Sequence, residues 1–375
     1  MTHSSPTPLS EARRLVIKTG SSLVINAATG TGRTAWMASL AADIAQLQQA
    51  GQQVILVSSG AVALGRQAMG MTAKPKLEEK QAAAACGQPL LMQAWAEAFA
   101  AQGLRVAQLL LTLDDSEHRR RYLNARATLE TLLAHGIIPI INENDTVATA
   151  ELRVGDNDRL AARVAQMSGA DMLVLLSDVD GLYTANPATD PKAQHIPMVE
   201  QITDTVRAFA APPSSAVGTG GMVTKIMAAE LALSAGCHTL LTLGTPEHPL
   251  ARLSRDEARG TWFVAATTPR SARKDWIAGS LAPQGELVVD DGAAAALAKG
   301  NSLLPAGVSA VSGDFQRGDA VLVLDRQHHV LAKGLCAYNA DDARRIAGQN
   351  SKNIEQILGF KGRDEIIHRD DLVLL

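Results

Sequence analysis

Residues 139–158 read PIINENDTVATAELRVGDND, an apolar run through Ile141 that turns at once into Asn142, Glu143, Asn144 and Asp145 and closes on Gly155, Asp156, Asn157 and Asp158. Two polar clusters thus flank one short connection. A buried strand that empties into acids and amides is the usual form of a site at the carboxyl edge of a parallel sheet, where loop side chains converge. The same residue types also build plain surface turns, so the surrounding chain has to decide. Downstream, residues 159–169 carry a helical pattern. Residues 172–176 are an apolar strand that ends in Ser177 and Asp178, followed by the turn-rich Asn186-Pro187.

Upstream the same grammar repeats. Residues 13–18, RRLVIK, are a short strand ending in Lys18 and running into Thr19, Gly20, Ser21 and Ser22. A cation beside a turn with free backbone N–H groups can cradle phosphate; an exposed strand-end lysine is the alternative. Residues 34–50 read as an amphipathic helix and 53–57 as a strand, apolar after Gln53, ending in Ser58, Ser59 and Gly60 before another helix. Hydroxyls and amides at that helix start suit an anion, and they also suit an N-cap. Residues 76–102 read as helix and 106–111 as strand. The charged run 114–121 leads into a helix through about residue 135 and reads as a solvated face or a subunit contact. Gly30-Thr-Gly32-x-x-Ala35 matches a dinucleotide fingerprint in letters but lies about ten residues past its strand, which disqualifies it. The repeating β-α order predicts an α/β fold: an open, mostly parallel sheet sandwiched by helices.

A glycine cluster at Gly218, Gly220 and Gly221 precedes Thr224 and Lys225 at a helix start. Glycines admit close backbone approach, the helix supplies N–H donors and Lys225 supplies charge. A Walker A loop is excluded because no GK[ST] follows. Residues 267–283 break the pattern and read as a linker. Beyond them short strands at 286–289, 320–324 and 330–334, with helices at 291–299 and 341–347, make a small β-rich domain over 284–375. From residue 284 onward there are ten Lys and Arg against thirteen Asp and Glu, so direct RNA binding by this module is not expected.

Composition sets the outer limits. With 375 residues the chain is long enough for two domains; a net charge of −3 provides no basic field for nucleic acid or acidic membrane. Three widely spaced cysteines outline neither a disulfide framework nor a CxxC metal site and fit a reducing cytoplasm. No apolar run approaches the ~18 residues of a membrane span. Residues 1–12 read as a disordered tail.

Two lysines at element ends, a glycine loop, a Ser-Ser-Gly turn and an acidic cluster cohere if the reaction is phosphoryl transfer to a carboxylate, which is already ionised at neutral pH and needs no general base. At this point the chain resembles the glutamate 5-kinase family of the amino-acid-kinase fold, through VIKTGSSLV, VILVSSGAVALGR, LLLTLDD, YLNARATL, PIINENDTVAT, VGDNDRLAARVA, LLSDVDGLYTANP, GTGGMVTK and the tail pattern GNSLLPAGV…FQRGD. The tail resembles a PUA domain. The resemblance implies a kinase domain over 13–266 that uses ATP and Mg²⁺ to phosphorylate the γ-carboxylate of L-glutamate, the first step of proline biosynthesis. Feedback inhibition by proline and a homo-oligomer are implied with it. It places ATP contacts on Lys18, Ser177, Asp178, Thr219, Gly220, Gly221, Met222, Val223, Thr224 and Lys225, and glutamate contacts on Ser59, Asp145 and Asn157. Lys18 and Lys225 would stabilise the transferring phosphoryl group and Asp158 would orient them; no residue is assigned as a metal ligand. Kinases of N-acetylglutamate or aspartate, and an RNA-binding PUA protein, are the competing readings.

Overall fold

Arg14–Thr19 (β1), RLVIKT, is aliphatic without polar alternation, the pattern of a strand covered on both faces, and all but its first residue is buried. The computed structural model describes residues 9–26, 28–72, 75–148, 156–210, 221–255, 257–280, 282–360 and 362–375. The chain divides into two units, Met1–Glu117 with Asn124–Pro269, and His118–Leu123 with Arg270–Leu375.

In the first unit, β1 is joined by Gln53–Ser58 (β2), Val106–Leu111 (β3), Ile138–Glu143 (β4), Met172–Ser177 (β5), the pair Leu182–Tyr183 (β6) and His195–Ile196 (β7), Met198–Val199 (β8), His238–Leu243 (β9) and Gly260–Phe263 (β10). The main sheet has the order β3-β4-β2-β1-β5-β9-β10-β8. Pairings from β3 through β9 are parallel, and β10 runs antiparallel to β9. The chain leaves β1 to one side for β2 and to the other for β5, and at such a reversal of strand order the loops diverge and open a crevice at the carboxyl ends. Lys18 pairs with Val57 on one side and Leu175 on the other. The ends of β1, β2 and β5 therefore reach the same edge.

Helices pack on this sheet through apolar stripes. Thr34–Gln49 buries Trp36, Met37, Leu40, Ala41 and Ile44, and Trp36 Nε1 donates to Gly244 O at 2.7 Å, satisfying the indole's one donor. Leu77–Ala100 buries Trp95 and Phe99 and crosses Ala61–Ala68 at unusually short range. A Cβ on Gly65 would stand 1.7 Å from Ala83 O, and one on Gly87 would stand 1.8 Å from Ala61 O. Only glycine fits at either position.

The disordered tail expected over residues 1–12 is corrected for its last four; residues 1–8 lie outside the described residues. Leu9 and Ala12 are buried, and their carbonyls both accept from Gln52 Nε2. An apolar anchor and a buried amide hold what composition alone marked as loose.

The second unit is built on a five-stranded sheet, order β12-β11-β13-β14-β15, from Gly285–Val289 (β11), Val308–Gly313 (β12), Ala320–Leu324 (β13), Val330–Leu335 (β14) and Leu372–Leu374 (β15). Its core includes Leu287, Val289, Phe315, Val321, Val323 and Ile367. Within the stretch read as a linker, Pro269–Ser280 form a helix, with Ile277 buried beside Ala320 and Leu335. Arg273 of that helix pairs with Asp371 at 2.6 Å. Arg119 belongs to the charged run expected as a solvated face or a subunit contact, and its guanidinium lies 5.3 Å over the Trp276 ring. Among the described residues, no helix is long and apolar enough to cross a membrane.

Candidate active site

The third residue of the helix Asp156–Ser168 is Asp158, a carboxylate whose side chain is 1% exposed. Its Oδ1 lies 2.5 Å from Lys18 Nζ at the end of β1. Its Oδ2 lies 3.4 Å from Lys225 Nζ and accepts from Thr224 Oγ1 at 2.9 Å, both in the first turn of the helix Met222–Ser234. One buried anion thus ties together two lysines carried by different elements. With both lysines protonated, the trio carries one uncancelled positive charge.

Removing charges from water is expensive unless they are paired and hydrogen-bonded. Burial alone would raise the pKa of Asp158, but Lys18 and then Lys225 outweigh it and hold the carboxyl below its ordinary range. Burial pulls the Lys18 ammonium pKa down; Asp158 opposes the shift and Lys225 adds to it. An anionic ligand brought to this pair would meet a cation already stripped of water and fixed in direction, the condition under which electrostatic stabilisation is strongest.

Next to Asp158 on the same turn, Asn157 faces a different set of partners. Its Nδ2 donates to Ser59 Oγ at 2.6 Å and to Asn142 Oδ1 at 3.0 Å. Asn142, in β4, donates its own Nδ2 to Gln88 Oε1 at 2.8 Å. Asn157 Oδ1 is buried with no hydrogen-bond partner among the described residues, and a buried acceptor in that condition is normally matched by a ligand or water.

The profile of the amino acid kinase family matches residues 13–242, and that of the PUA domain matches residues 285–358. A glutamate 5-kinase of Paramagnetospirillum magneticum is 61% identical over 367 residues, spanning 98% of this chain and 99% of the relative. The chain belongs to the glutamate 5-kinase family. The Caulobacter vibrioides glutamate 5-kinase is 57% identical over the full length of both chains. Among solved structures, an isopentenyl phosphate kinase of T. acidophilum in a product complex aligns at a TM-score of 0.47 with 15% identity, over 67% of this chain and 99% of the other.

Of the positions that the resemblance to glutamate 5-kinases singles out, Lys18, Asp158, Thr224 and Lys225 come together directly. Ser59 and Asn157 do so in a second group one residue along the same helix. Ser58 is set apart from Ser59: it is buried and takes the Trp95 Nε1 hydrogen bond at 2.9 Å, the role of a core hydroxyl. Ser177 ends β5 and donates to Asp178 Oδ1 at 3.0 Å, and the Asp178 charge acts on Lys18. Asp145 is half-buried in the turn after β4. Gly221 caps the helix Met222–Ser234 without a side-chain bond, with Met222 and Val223 in its first turn. Thr219 and Gly220 lie outside the described residues. Sequence reading left Asn142 as one member of a polar cluster and missed Gln88, which reaches the site from a helix 54 residues away.

Proposed function

We propose that the chain transfers the γ-phosphoryl group of ATP to the γ-carboxylate of L-glutamate, forming L-glutamyl 5-phosphate and opening proline biosynthesis. The observation that carries this reading is the single buried carboxylate of Asp158 between Lys18 and Lys225, with the amide pair Asn157 and Ser59 beside it. The substrate carboxylate, with a pKa of about 4, is ionised at neutral pH. Its oxygen bonds to the γ-phosphorus as the bond to the β–γ bridging oxygen breaks, and ADP leaves with that electron pair. The obstacle is repulsion between two anions. Lys18 and Lys225 offset it, and Asp158 keeps both in place.

The donor set fits a nucleotide: two buried cations, a Gly221 helix start without a side-chain cap, and Gly20, whose missing Cβ would lie 3.9 Å from Lys18 Nζ. Both Asp158 oxygens are engaged, so Mg²⁺ would be held by the nucleotide phosphates and water rather than by this carboxylate. Magnesium supplies charge neutralisation across those phosphates. Ser59, Asp145 and Asn157 are assigned to glutamate, whose free α-ammonium calls for amide and acidic acceptors. Proline, an amino acid with the same α-carboxylate and ammonium, is assigned as a feedback inhibitor at the same site. A homo-oligomer working in the cytoplasm completes the reading.

The test is glutamate-dependent ADP release, measured with L-glutamate and N-acetyl-L-glutamate, each with and without proline. Turnover with the free amino acid alone is expected, and equal rates on both would overturn the substrate assignment. Asp145→Ala should weaken glutamate binding and proline inhibition together; loss of the first with the second intact would separate the two sites.

A further inference from the structure

We propose that Gln88 is a positioning residue that sets the polarity of a three-amide relay, Gln88–Asn142–Asn157, and through it the acceptor that selects the substrate's ammonium group. The inference rests on the reading that the Ser59–Asn157 pocket takes free glutamate. The relay runs in one direction: Asn142 donates to Gln88 Oε1 and Asn157 donates to Asn142 Oδ1, at 2.8 and 3.0 Å. Both Asn157 amide hydrogens are then used, the second on Ser59 Oγ. Its Oδ1 remains as a buried oxygen with no hydrogen-bond partner among the described residues.

Each amide has a donor end and an acceptor end, and a serine hydroxyl can act as either. The reversed relay would satisfy the same internal bonds, with Gln88 donating to Asn142 and Asn142 donating to Asn157. Its consequence at the far end is opposite, because Asn157 would then present N–H groups instead of an oxygen. An ammonium group is a donor without any acceptor. It is bound by the observed polarity and rejected by the reverse.

Gln88 is the end of the relay at which polarity can be imposed. It sits beside Gly87, whose contact with Ala61 fixes its helix against the helix that follows Ser59. The relay therefore begins on one member of this helix pair and ends on Asn157, which bonds Ser59 just ahead of the other member. Gln88 itself is only half-buried, so a charged replacement can keep contact with water.

The experiment compares Q88E, which can only accept, with Q88K, which can only donate. KM and kcat are measured for L-glutamate and for glutarate, which lacks the amine, at low and high salt. Q88E is expected to hold the glutamate KM within about threefold of the unsubstituted chain. Q88K is expected to raise it roughly tenfold to a hundredfold, the size of a lost hydrogen bond to a charged group, with the ATP KM and the glutarate KM unmoved. Equal effects of Q88E and Q88K, or a glutarate KM that rises in step, would overturn the relay. So would a difference that vanishes at high salt, since that marks a through-space charge effect. If Q88K does not fold, Q88M takes its place: a raised glutamate KM that Q88E does not share supports the relay, and equal values overturn it. Equal use of glutamate and glutarate by the unsubstituted chain is the failure of the substrate reading instead, and it is seen before any variant is made.

Discussion

Lys18 Nζ lies 2.5 Å from Asp158 Oδ1 with side chains only 9% and 1% exposed, while the opposite oxygen of the same carboxylate engages Lys225. The arrangement separates what holds the cations from what the cations act on.

Lys225 is assigned to the transferring phosphoryl group, so its contribution should be realised mainly in the transition state. Lys225→Ala is expected to lower kcat by at least about a hundredfold while changing the glutamate KM by only a few-fold, a split read from steady-state kinetics. An unchanged kcat would refute the role.

Asp158→Asn removes the anion and leaves two lysines facing each other in a buried site. Breaking such a pair costs about 3 kcal/mol or more, so the variant should unfold at distinctly lower denaturant concentration. The pH dependence supplies a sharper signature. The folded Asp158 pKa is depressed below the ordinary 3.8, so its stabilisation is present above the unfolded value and is lost as pH falls through the folded one. Lys18 works on the alkaline side: its folded pKa is lowered from 10.5, so the burial penalty is fully present below the folded value and relieved as pH rises toward the unfolded one. Chemical denaturation of the unsubstituted chain below pH 4 should therefore show a steeper loss of stability than the Asn variant.

Gly87→Ala would drive a methyl group to 1.8 Å from Ala61 O. Backbone cannot give way as a flexible side chain does, and overpacking of this kind costs about 1–3 kcal/mol or more. The helix that follows Ser59 and its partner would be forced apart. Lower thermal stability together with a raised glutamate KM is expected; a shift in stability alone would show that the crossing is not felt at the pocket.

The three thiols should react in two classes. Cys86 is exposed. Cys237 and Cys336 are buried, and burial drives the first thiol pKa far up and the second up to about 12. Titration with an aromatic disulfide should label Cys86 alone in the folded protein and the other two only on unfolding, because the thiolate is the reactive form.

Strands with continuous apolar runs were legible from sequence almost to the residue, as in Met172–Ser177 and Ala320–Leu324. Val308–Gly313 was not, because only Val308 is fully buried and its other five positions carry no apolar run. The helix Pro269–Ser280 escaped for the same reason, with Ile277 its single buried apolar anchor. In the site, Lys18, Asp158 and Lys225 stood out as polar residues where apolar elements end or begin. Ser58 and Ser59 could not be told apart by letter, and the chain separates them by direction: one hydroxyl turns into the core and the next toward Asn157. Gln88 had no local signature, since its partner lies across the fold.

Asn157 and Asp158 are consecutive residues on the first turn of one helix, one serving the amide pocket and the other the two lysines. The two half-sites share a single peptide unit as their common mount. A ligand that shifts this turn on one side shifts it on the other, and by thermodynamic linkage the influence is equal in both directions. On the proposed assignment of glutamate to the amide pocket and of the nucleotide to the lysines, binding of the two is expected to be coupled through adjacent positions of the chain.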